Sequence, residues 1–137
     1  IEVPVWMFDE NKSKFPSTHE LTVNKKIADV VSNIFTEIFN SSEQFAIDAD
    51  TTAGYSNRGN TTSLHNYGIA IDINWNANAY FDSNGIITVG THYSPGVDPL
   101  SIEATSSVVN IFKKYGWYWG GEWFTIKDYM HFAYMNH

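Results

Sequence analysis

The apolar positions between Val23 and Phe39 recur at steps of three, four and one residue. This spacing places side chains on one face of an α-helix, so we predict an amphipathic helix whose apolar face is buried in the core. Thr22 or Asn24 can supply the N-cap oxygen, because short polar side chains accept hydrogen bonds from the first free N–H groups of a helix. The polar run at positions 40–42 ends the pattern and, with it, the predicted helix.

A second helix is predicted from about Pro99 to Tyr115. Proline is favoured in the first turn of a helix, and Asp98 directly before it is a suitable N-cap. Gly116 follows the last turn, where glycine commonly ends a helix in the left-handed conformation. The side chains expected to face the core from this helix are Val108, Val109 and Phe112.

Short β-prone runs alternate with polar turns along the rest of the chain. Pro4 near the start of the first run suits an edge strand, because proline cannot donate a hydrogen bond to a neighbouring strand. Positions 50–64 are rich in Thr, Gly, Ser and Asn, which is typical of a loop. The predicted strands lie at 3–8, 45–47, 69–73, 86–89 and 129–134. No repeat or linker divides residues 1–137, so we predict one small α+β domain in which two main helices pack on an antiparallel sheet.

The strand predicted at Ile69–Ile73 alternates strictly between two kinds of side chain. Its three isoleucines share one face, while Ala70 and Asp72 share the other, because successive residues of a strand point to opposite sides. We therefore expect a rigid, half-buried strand to present the carboxylate of Asp72.

Composition excludes several classes of protein. The 137 residues include 8 Lys+Arg against 15 Asp+Glu, for a formal net charge of -7. An acidic chain without a basic run argues against nucleic-acid binding, and no stretch approaches the roughly 18 apolar residues of a membrane span. Cysteine is absent, so any metal must be held by histidines and carboxylates. The chain begins at Ile1 without a signal segment, so we expect it to be processed or excised from a longer chain.

His65, Asp72 and His131 are candidate metal ligands that could converge on one point. His65 precedes Asp72 by seven positions, and Gly68 between them permits a sharp backbone turn. His131 lies in the last β-prone run, where a buried imidazole needs a partner. Two histidines and one carboxylate leave one tetrahedral position of a zinc ion open, which is typical of catalytic sites. Asp128, three residues before His131, could act there as a general base.

Each of these residues also fits a structural role. His65 can be a surface loop histidine, Asp72 and Asp128 can cap turns, and His131 can be a hydrogen-bonded histidine of the core. Glu122 is another nearby carboxylate that could act as the base. The remaining histidines have no motif around them and are expected to be exposed to solvent: His19, His92 and His137. His92, between two other polar residues, could alternatively line a cleft.

Two separated motifs carry a resemblance to a known family. The run from Ser63 to Ile73 contains a Ser-x-His-x-x-Gly-x-Ala-x-Asp pattern. It resembles the signature of the D-alanyl-D-alanine metallopeptidases, which include the vancomycin-resistance carboxypeptidases and dipeptidases and the phage L-alanyl-D-glutamate endolysins. The runs Trp119–Trp123 and Asp128–Phe132 resemble the family's later Trp-Gly-Gly-x-Trp and acid-x-x-His-Phe patterns. The order of the motifs is that of the family, and together they cover about half of the chain.

The resemblance implies a zinc site and a catalytic group. In the family pattern, His65, Asp72 and His131 would bind Zn²⁺, and Asp128 would be the catalytic acid and base. Ser63 would donate a hydrogen bond near the metal or the substrate. The architecture implied is a small α+β domain with a zinc cleft.

The chain departs from the family pattern at two positions. The arginine that usually follows a Gly-Tyr pair is displaced to Arg58, and Met130 stands where many members have proline. Arg58 is still a candidate for binding the substrate carboxylate or the oxyanion of the tetrahedral intermediate. Aromatic residues make up 16% of the chain, and we expect Trp119 and Trp123 to contribute to substrate binding as part of the cleft wall.

By this resemblance, the chain is expected to be a monomeric zinc metallopeptidase, extracellular or in the cell wall of a bacterium, that hydrolyses peptidoglycan stem peptides. Two bonds stay open as alternatives: D-Ala-D-Ala, cut by a carboxypeptidase, and L-Ala-D-Glu, cut by an endopeptidase. The alternative function is a catalytically inactive, zinc-bearing cell-wall-binding or signalling domain. Neither an HExxH helix nor a GxSxG turn is present, so two common rival hydrolase designs lack their motif.

Overall fold

Two α-helices and eight short strands form the regular structure of residues 1–59 and 61–135, which are the residues that the computed structural model describes. Four 3₁₀ turns connect some of these elements, at Lys25–Ile27, Ala49–Thr51, Leu64–Tyr67 and Gly120–Glu122. The elements in chain order are β1 (Glu2–Phe8), β2 (Lys14–Glu20), α1 (Ala28–Asn40), β3 (Ala70–Asp72), β4 (Asn78–Phe81), β5 (Ile87–Tyr93), α2 (Ser107–Lys114), β6 (Tyr118–Trp119), β7 (Lys127–Asp128) and β8 (His131–Ala133). The predicted α+β class is confirmed.

The strands are divided among three small antiparallel sheets in the described part of the chain, where the sequence predicted one. The first sheet pairs β1 with β2, the second has the order β3-β8-β6, and the third has the order β5-β4-β7. Strands β6 and β7 contain two residues each. Such strands are too short to join the second and third sheets into one continuous surface.

Helix α1 confirms the first predicted helix, with a later start. Asn24 caps the 3₁₀ turn that precedes it by accepting a hydrogen bond from the Lys26 N–H at 2.9 Å. Asn24, rather than Thr22, is therefore the cap, and the α-helix itself begins at Ala28. The helix packs against β1 and buries one face in the core, through Val31, Ile34, Phe35 and Ile38.

Helix α2 begins at Ser107, so its predicted start at Pro99 was wrong. Ser106 is the N-cap, and its Oγ accepts a hydrogen bond from the Val108 N–H at 3.1 Å. Asp98 instead caps a turn, because its Oδ1 accepts the N–H of the residue two positions on, at 2.9 Å. The predicted end is confirmed, since Gly116 follows the last turn with a φ of 84°.

Two buried asparagines explain why residues 99–105 are not helical. Asn74 and Asn78 both donate a side-chain N–H to the carbonyl oxygen of Leu100, at 3.2 Å and 2.8 Å. Asn78 also accepts a hydrogen bond from the Ile102 N–H at 2.6 Å. A distant segment thus satisfies backbone groups that a helix would have paired locally, and this contact overrides the local pattern.

Strand β2 was not predicted from the sequence. It lies along β1, and most of its side chains are exposed. An exposed strand shows no apolar alternation, so the sequence carried no signal for it. On its other side, β1 makes one parallel bridge within the described residues, between Trp6 and Ala46. The strand predicted at 45–47 is reduced to this bridge.

The sheet β3-β8-β6 lies in the core, where Ile71 and Phe132 are fully buried. Neither helix of the described residues is long and apolar enough to cross a membrane. The buried sheet carries two of the candidate ligands, and its packing fixes their positions.

Candidate metal centre

The pairing of β3 with β8 places Asp72 directly opposite His131. Paired residues of antiparallel strands project to the same face, and the His131 Nδ1 lies 3.5 Å from the Asp72 Oδ1. The adjacent residues Ile71 and Phe132 project into the apolar core. Alternation along both strands therefore decides which side chains reach the site.

His65 reaches the same point from the 3₁₀ turn at Leu64–Tyr67. Ser63 caps this turn, because its Oγ accepts a hydrogen bond from the His65 N–H at 3.3 Å. Gly68 ends the turn with a φ of 68°, and a Cβ there would lie 2.6 Å from a backbone nitrogen, so the turn requires glycine. The His65 Nε2 consequently lies 3.2 Å from the Asp72 Oδ1.

A backbone contact fixes the tautomer of His65. The Nδ1 lies 2.8 Å from the carbonyl oxygen of Gly54. Because a carbonyl oxygen only accepts hydrogen bonds, Nδ1 carries a proton, and in the neutral imidazole Nε2 is therefore the nitrogen whose lone pair can bind a metal. Metal-binding histidines are commonly oriented by this kind of contact.

The three side chains fit a metal ion. One ligand atom from each of His65, Asp72 and His131 lies within 4.8 Å of the other two. The Asp72 Oδ1 and the His131 Nε2 are buried without a hydrogen-bond partner in residues 1–59 and 61–135. Buried polar atoms are normally satisfied, so an orphaned carboxylate oxygen that faces two imidazoles fits a ligand set. Zinc and other divalent transition metals accept these donors.

The Asp72 carboxylate and the His65 imidazole each stabilise the charged form of the other. Burial alone would raise the pKa of Asp72, but His131 and His65 outweigh burial and lower it to about 2. Burial would likewise lower the pKa of His65, but the Asp72 carboxylate outweighs it and raises that pKa. The Asp72 carboxylate is therefore ionised at neutral pH, as a metal ligand must be.

Asp128 lies beside this cluster on β7. Its Oδ2 is 4.0 Å from the His131 Nδ1, and its Oδ1 is buried without a hydrogen-bond partner in the described residues. Burial, reinforced by the negative charge of Asp72, raises the pKa of Asp128 to about 8. A carboxyl group with a pKa near neutrality can both accept and return a proton.

The four side chains open into a cavity of about 690 Å³. Arg58 is the only lysine or arginine that lines it among the described residues. The Arg58 Nη2 lies 3.7 Å from the Asp72 Oδ2, and the Arg58 side chain is 44% exposed. Ser63 also lines the cavity. An anion could therefore meet a positive charge directly beside the ligand cluster.

The two tryptophans predicted to line the cleft lie in different places. Trp123 lines the cavity, and its ring centroid is 5.4 Å from that of His131. Trp119 is 3% exposed and donates its indole N–H to the Tyr129 carbonyl oxygen at 2.8 Å. Because residues of β6 alternate, Tyr118 faces solvent and Trp119 faces inward. The predicted cleft position of Trp119 is corrected to a core position.

The other titratable candidates lie away from the cluster. Glu122 forms a surface ion pair with Lys113 at 2.9 Å and does not line the cavity. His19 lies 2.8 Å from a backbone carbonyl oxygen, and His92 lies 2.7 Å from a carboxylate oxygen. Both residues are partly buried, where the sequence predicted exposure to solvent. His137 lies outside the described residues.

Tyr80 and Val89 are among the residues that line the cavity without having been predicted from the sequence. They lie on β4 and β5, outside both motifs. The strand containing Val89 was predicted at 86–89, but the face that it presents depends on a bulged pairing with β4 that no local pattern reveals.

A family model described as D-alanyl-D-alanine carboxypeptidase matches residues 56–134. No curated protein and no solved structure matches the chain significantly. The matched range is more than half of the chain, and it contains the three candidate ligands together with Asp128 and Arg58. The matched range thus includes every residue of the cluster, and the chain belongs to the D-alanyl-D-alanine carboxypeptidase family of peptidases.

Proposed function

We propose that the chain is a zinc-dependent peptidase that hydrolyses peptidoglycan stem peptides, outside the cell or in the cell wall of a bacterium. The observation that carries this proposal is the meeting of a three-residue ligand set and a buried carboxylate, Asp128, in one open cavity. The family match supports peptide hydrolysis as the class of reaction. An inactive binding or signalling domain would have no use for Asp128, so the presence of this residue favours catalysis.

His65, Asp72 and His131 would hold the zinc ion. When bound, zinc lowers the pKa of a coordinated water to roughly 7 and polarises a carbonyl group, so that hydrolysis becomes possible at neutral pH. The Gly54 carbonyl oxygen keeps His65 in the tautomer in which Nε2 is the ligand. The core packing of β3 and β8 holds the other two side chains.

Asp128 would act first as the general base and then as the general acid. Its carboxylate takes a proton from the attacking water while the water oxygen forms a bond to the scissile carbonyl carbon. It then returns that proton to the amide nitrogen, and the C–N bond breaks to release a neutral amine. The position of Asp128 next to His131 supports this role, because the carboxylate lies close to the ligand cluster without belonging to it.

Arg58 and Ser63 would bind the substrate. Arg58 can pair with a carboxylate of the stem peptide or with the oxyanion of the tetrahedral intermediate. A carboxypeptidase needs such a cation for the terminal carboxylate of D-Ala-D-Ala. The Ser63 Oγ already accepts the His65 N–H, so its own O–H is free to donate to the substrate.

Digestion of purified peptidoglycan, followed by mass analysis of the products, tests the proposal. We expect the zinc-loaded protein to release fragments and the chelated protein to release none. Loss of single alanines would identify the D-Ala-D-Ala bond, whereas new amino termini on D-Glu would identify the L-Ala-D-Glu bond. Elemental analysis should find about one zinc per chain.

A pair of histidine variants makes this experiment specific. His131→Ala removes a ligand and should lose both bound zinc and activity. His19→Asn changes a histidine outside the cavity and should keep both. A folded, zinc-free protein that binds peptidoglycan without cleaving it would contradict the proposal and favour a wall-binding domain.

A further inference from the structure

One wall of the cavity is a face of the sheet β5-β4-β7. Tyr80 on β4 pairs with Val89 on β5 on one side and with Asp128 on β7 on the other. Directly paired residues project to the same face of a sheet, with Cβ atoms about 4.5–5.5 Å apart. All three residues line the cavity. They therefore form a row that begins at the proposed catalytic carboxylate and crosses the sheet.

The residue that follows Tyr80 on β4 does not line the cavity. Phe81, the next residue of β4, pairs with Ile87 and Lys127. Its ring packs edge-on against Tyr129, with the centroids 5.8 Å apart. Because successive residues of a strand point to opposite sides, this packing of Phe81 directs Tyr80 into the cavity.

The hydroxyl group of Tyr80 is free to bind a ligand. Two other tyrosines use their hydroxyls within the protein: that of Tyr93 donates to the Ile102 carbonyl oxygen at 2.6 Å, and that of Tyr115 donates to Glu37. No residue in the described part of the chain forms a hydrogen bond with the Tyr80 hydroxyl. A half-buried donor of this kind in a cleft is a specificity group that a bound ligand can satisfy.

We propose that Tyr80 and Val89 form a substrate subsite next to Asp128. The Tyr80 hydroxyl donates a hydrogen bond to a backbone carbonyl oxygen of the peptide, and Val89 packs against the methyl group of an alanyl residue. Val89 is 49% exposed, so its apolar surface is available for this contact. The subsite rests on the proposed function, since alanine supplies the scissile carbonyl group in both stem-peptide bonds considered above.

Steady-state kinetics of Tyr80→Phe test the subsite. This change removes only the hydroxyl group, so the ring and its packing remain. On a synthetic stem peptide with the zinc-loaded enzyme, we expect KM to rise about 3–10-fold with kcat changed by less than about 2-fold, as loss of one hydrogen bond to the substrate predicts. Tyr118→Phe, which removes the hydroxyl of an exposed tyrosine outside the cavity, is the matched control and should leave KM unchanged.

Two outcomes would overturn the subsite while leaving the proposed function intact. One is an unchanged KM in Tyr80→Phe. The other is a fall in kcat with a displaced pH profile, which would show that Tyr80 acts through its neighbour Asp128 and not on the substrate. An inactive wild-type enzyme would instead overturn the proposed function itself, so the two failures are distinguishable.

Discussion

Replacement of Asp128 by asparagine tests two effects of this residue separately: its effect on the free energy of unfolding and its role in catalysis. The amide keeps the shape of the carboxyl group but cannot ionise. In the metal-free protein, burial first and the Asp72 charge second raise the pKa of Asp128 from 3.8 to about 8. Folding therefore disfavours the ionised form, and Asp128→Asn removes this penalty.

The direction of the pKa shift fixes the pH range in which the penalty appears. Because the folded pKa is the higher one, the folded protein binds more protons than the unfolded chain between about pH 4 and about pH 8. Stability therefore falls as the pH rises through this range, and the loss is complete above about pH 8. A shift of about four pKa units sets an upper limit of roughly 5–6 kcal/mol. Relaxation and water entry reduce this limit, and we expect on the order of 2–3 kcal/mol.

Urea unfolding of the chelated protein at about pH 3.5 and about pH 9 measures this penalty. We expect Asp128→Asn to match the wild type closely at the lower pH and to exceed its unfolding free energy by on the order of 2–3 kcal/mol at the higher pH. The zinc-loaded variant should keep its metal while hydrolysis falls by about 10²–10⁴-fold. Glu122→Gln is the control, because this surface carboxylate pairs with Lys113 outside the cavity.

The two measurements can refute the reasoning separately. If both proteins lose the same unfolding free energy between the two pH values, ionisation of the buried Asp128 carboxyl group does not destabilise the folded protein. If Asp128→Asn hydrolyses stem peptide at a near-normal rate, another group moves the proton. The structure predicts that Asp128→Asn is both more stable and inactive. This combination is expected where a reactive group in the active site destabilises the folded protein.

Three further predictions concern the bound metal, the packing of Gly120 against Asp128, and the N-terminus of helix α2. Chelation should lower the unfolding free energy by about 3 kcal/mol relative to zinc at about 100 times its dissociation constant, and zinc should restore it, as thermal unfolding can measure. Gly120→Ala would place a Cβ 2.4 Å from the Asp128 carbonyl oxygen, so we expect a loss of about 1–3 kcal/mol in urea unfolding and a lower kcat. Glu43→Ala removes a carboxylate that accepts the Ser106 O–H and the Ser107 N–H, both at 2.9 Å. This change should cost about 1 kcal/mol in urea unfolding with activity unchanged.

The convergence of the three candidate ligands could be predicted from sequence because most of its geometry is local. Alternation along β3 assigns Asp72 and Ile71 to opposite faces, and Gly68 permits the turn that returns His65 to the same point. The pairing of Asp72 with His131 is the long-range step. Spacing alone left that step open, and only the resemblance of two ordered motifs indicated it.

The errors arose where distant contacts decide the local structure. The segment 99–105 begins with a proline that follows a suitable N-cap residue, yet Asn74 and Asn78 bind its backbone groups and hold it in a conformation that is not helical. Tyr80 faces the cavity because of its pairings with Val89 and Asp128, which lie on different strands. No window of sequence contains both partners of such a contact, so local patterns could not predict either result.

The two tryptophans near the site, Trp119 and Trp123, also show that local sequence does not decide which way a side chain faces. Trp119 and Trp123 both flank the 3₁₀ turn at 120–122, so their sequence context is nearly the same. Trp119 pairs with Phe132 across the sheet and donates its indole N–H to the Tyr129 carbonyl oxygen. It thus contacts the chain on both sides of His131, whereas Trp123 lies against the His131 ring itself. Buried aromatic packing therefore holds the backbone of a candidate metal ligand in place, and composition alone cannot distinguish this role from the lining of a cleft.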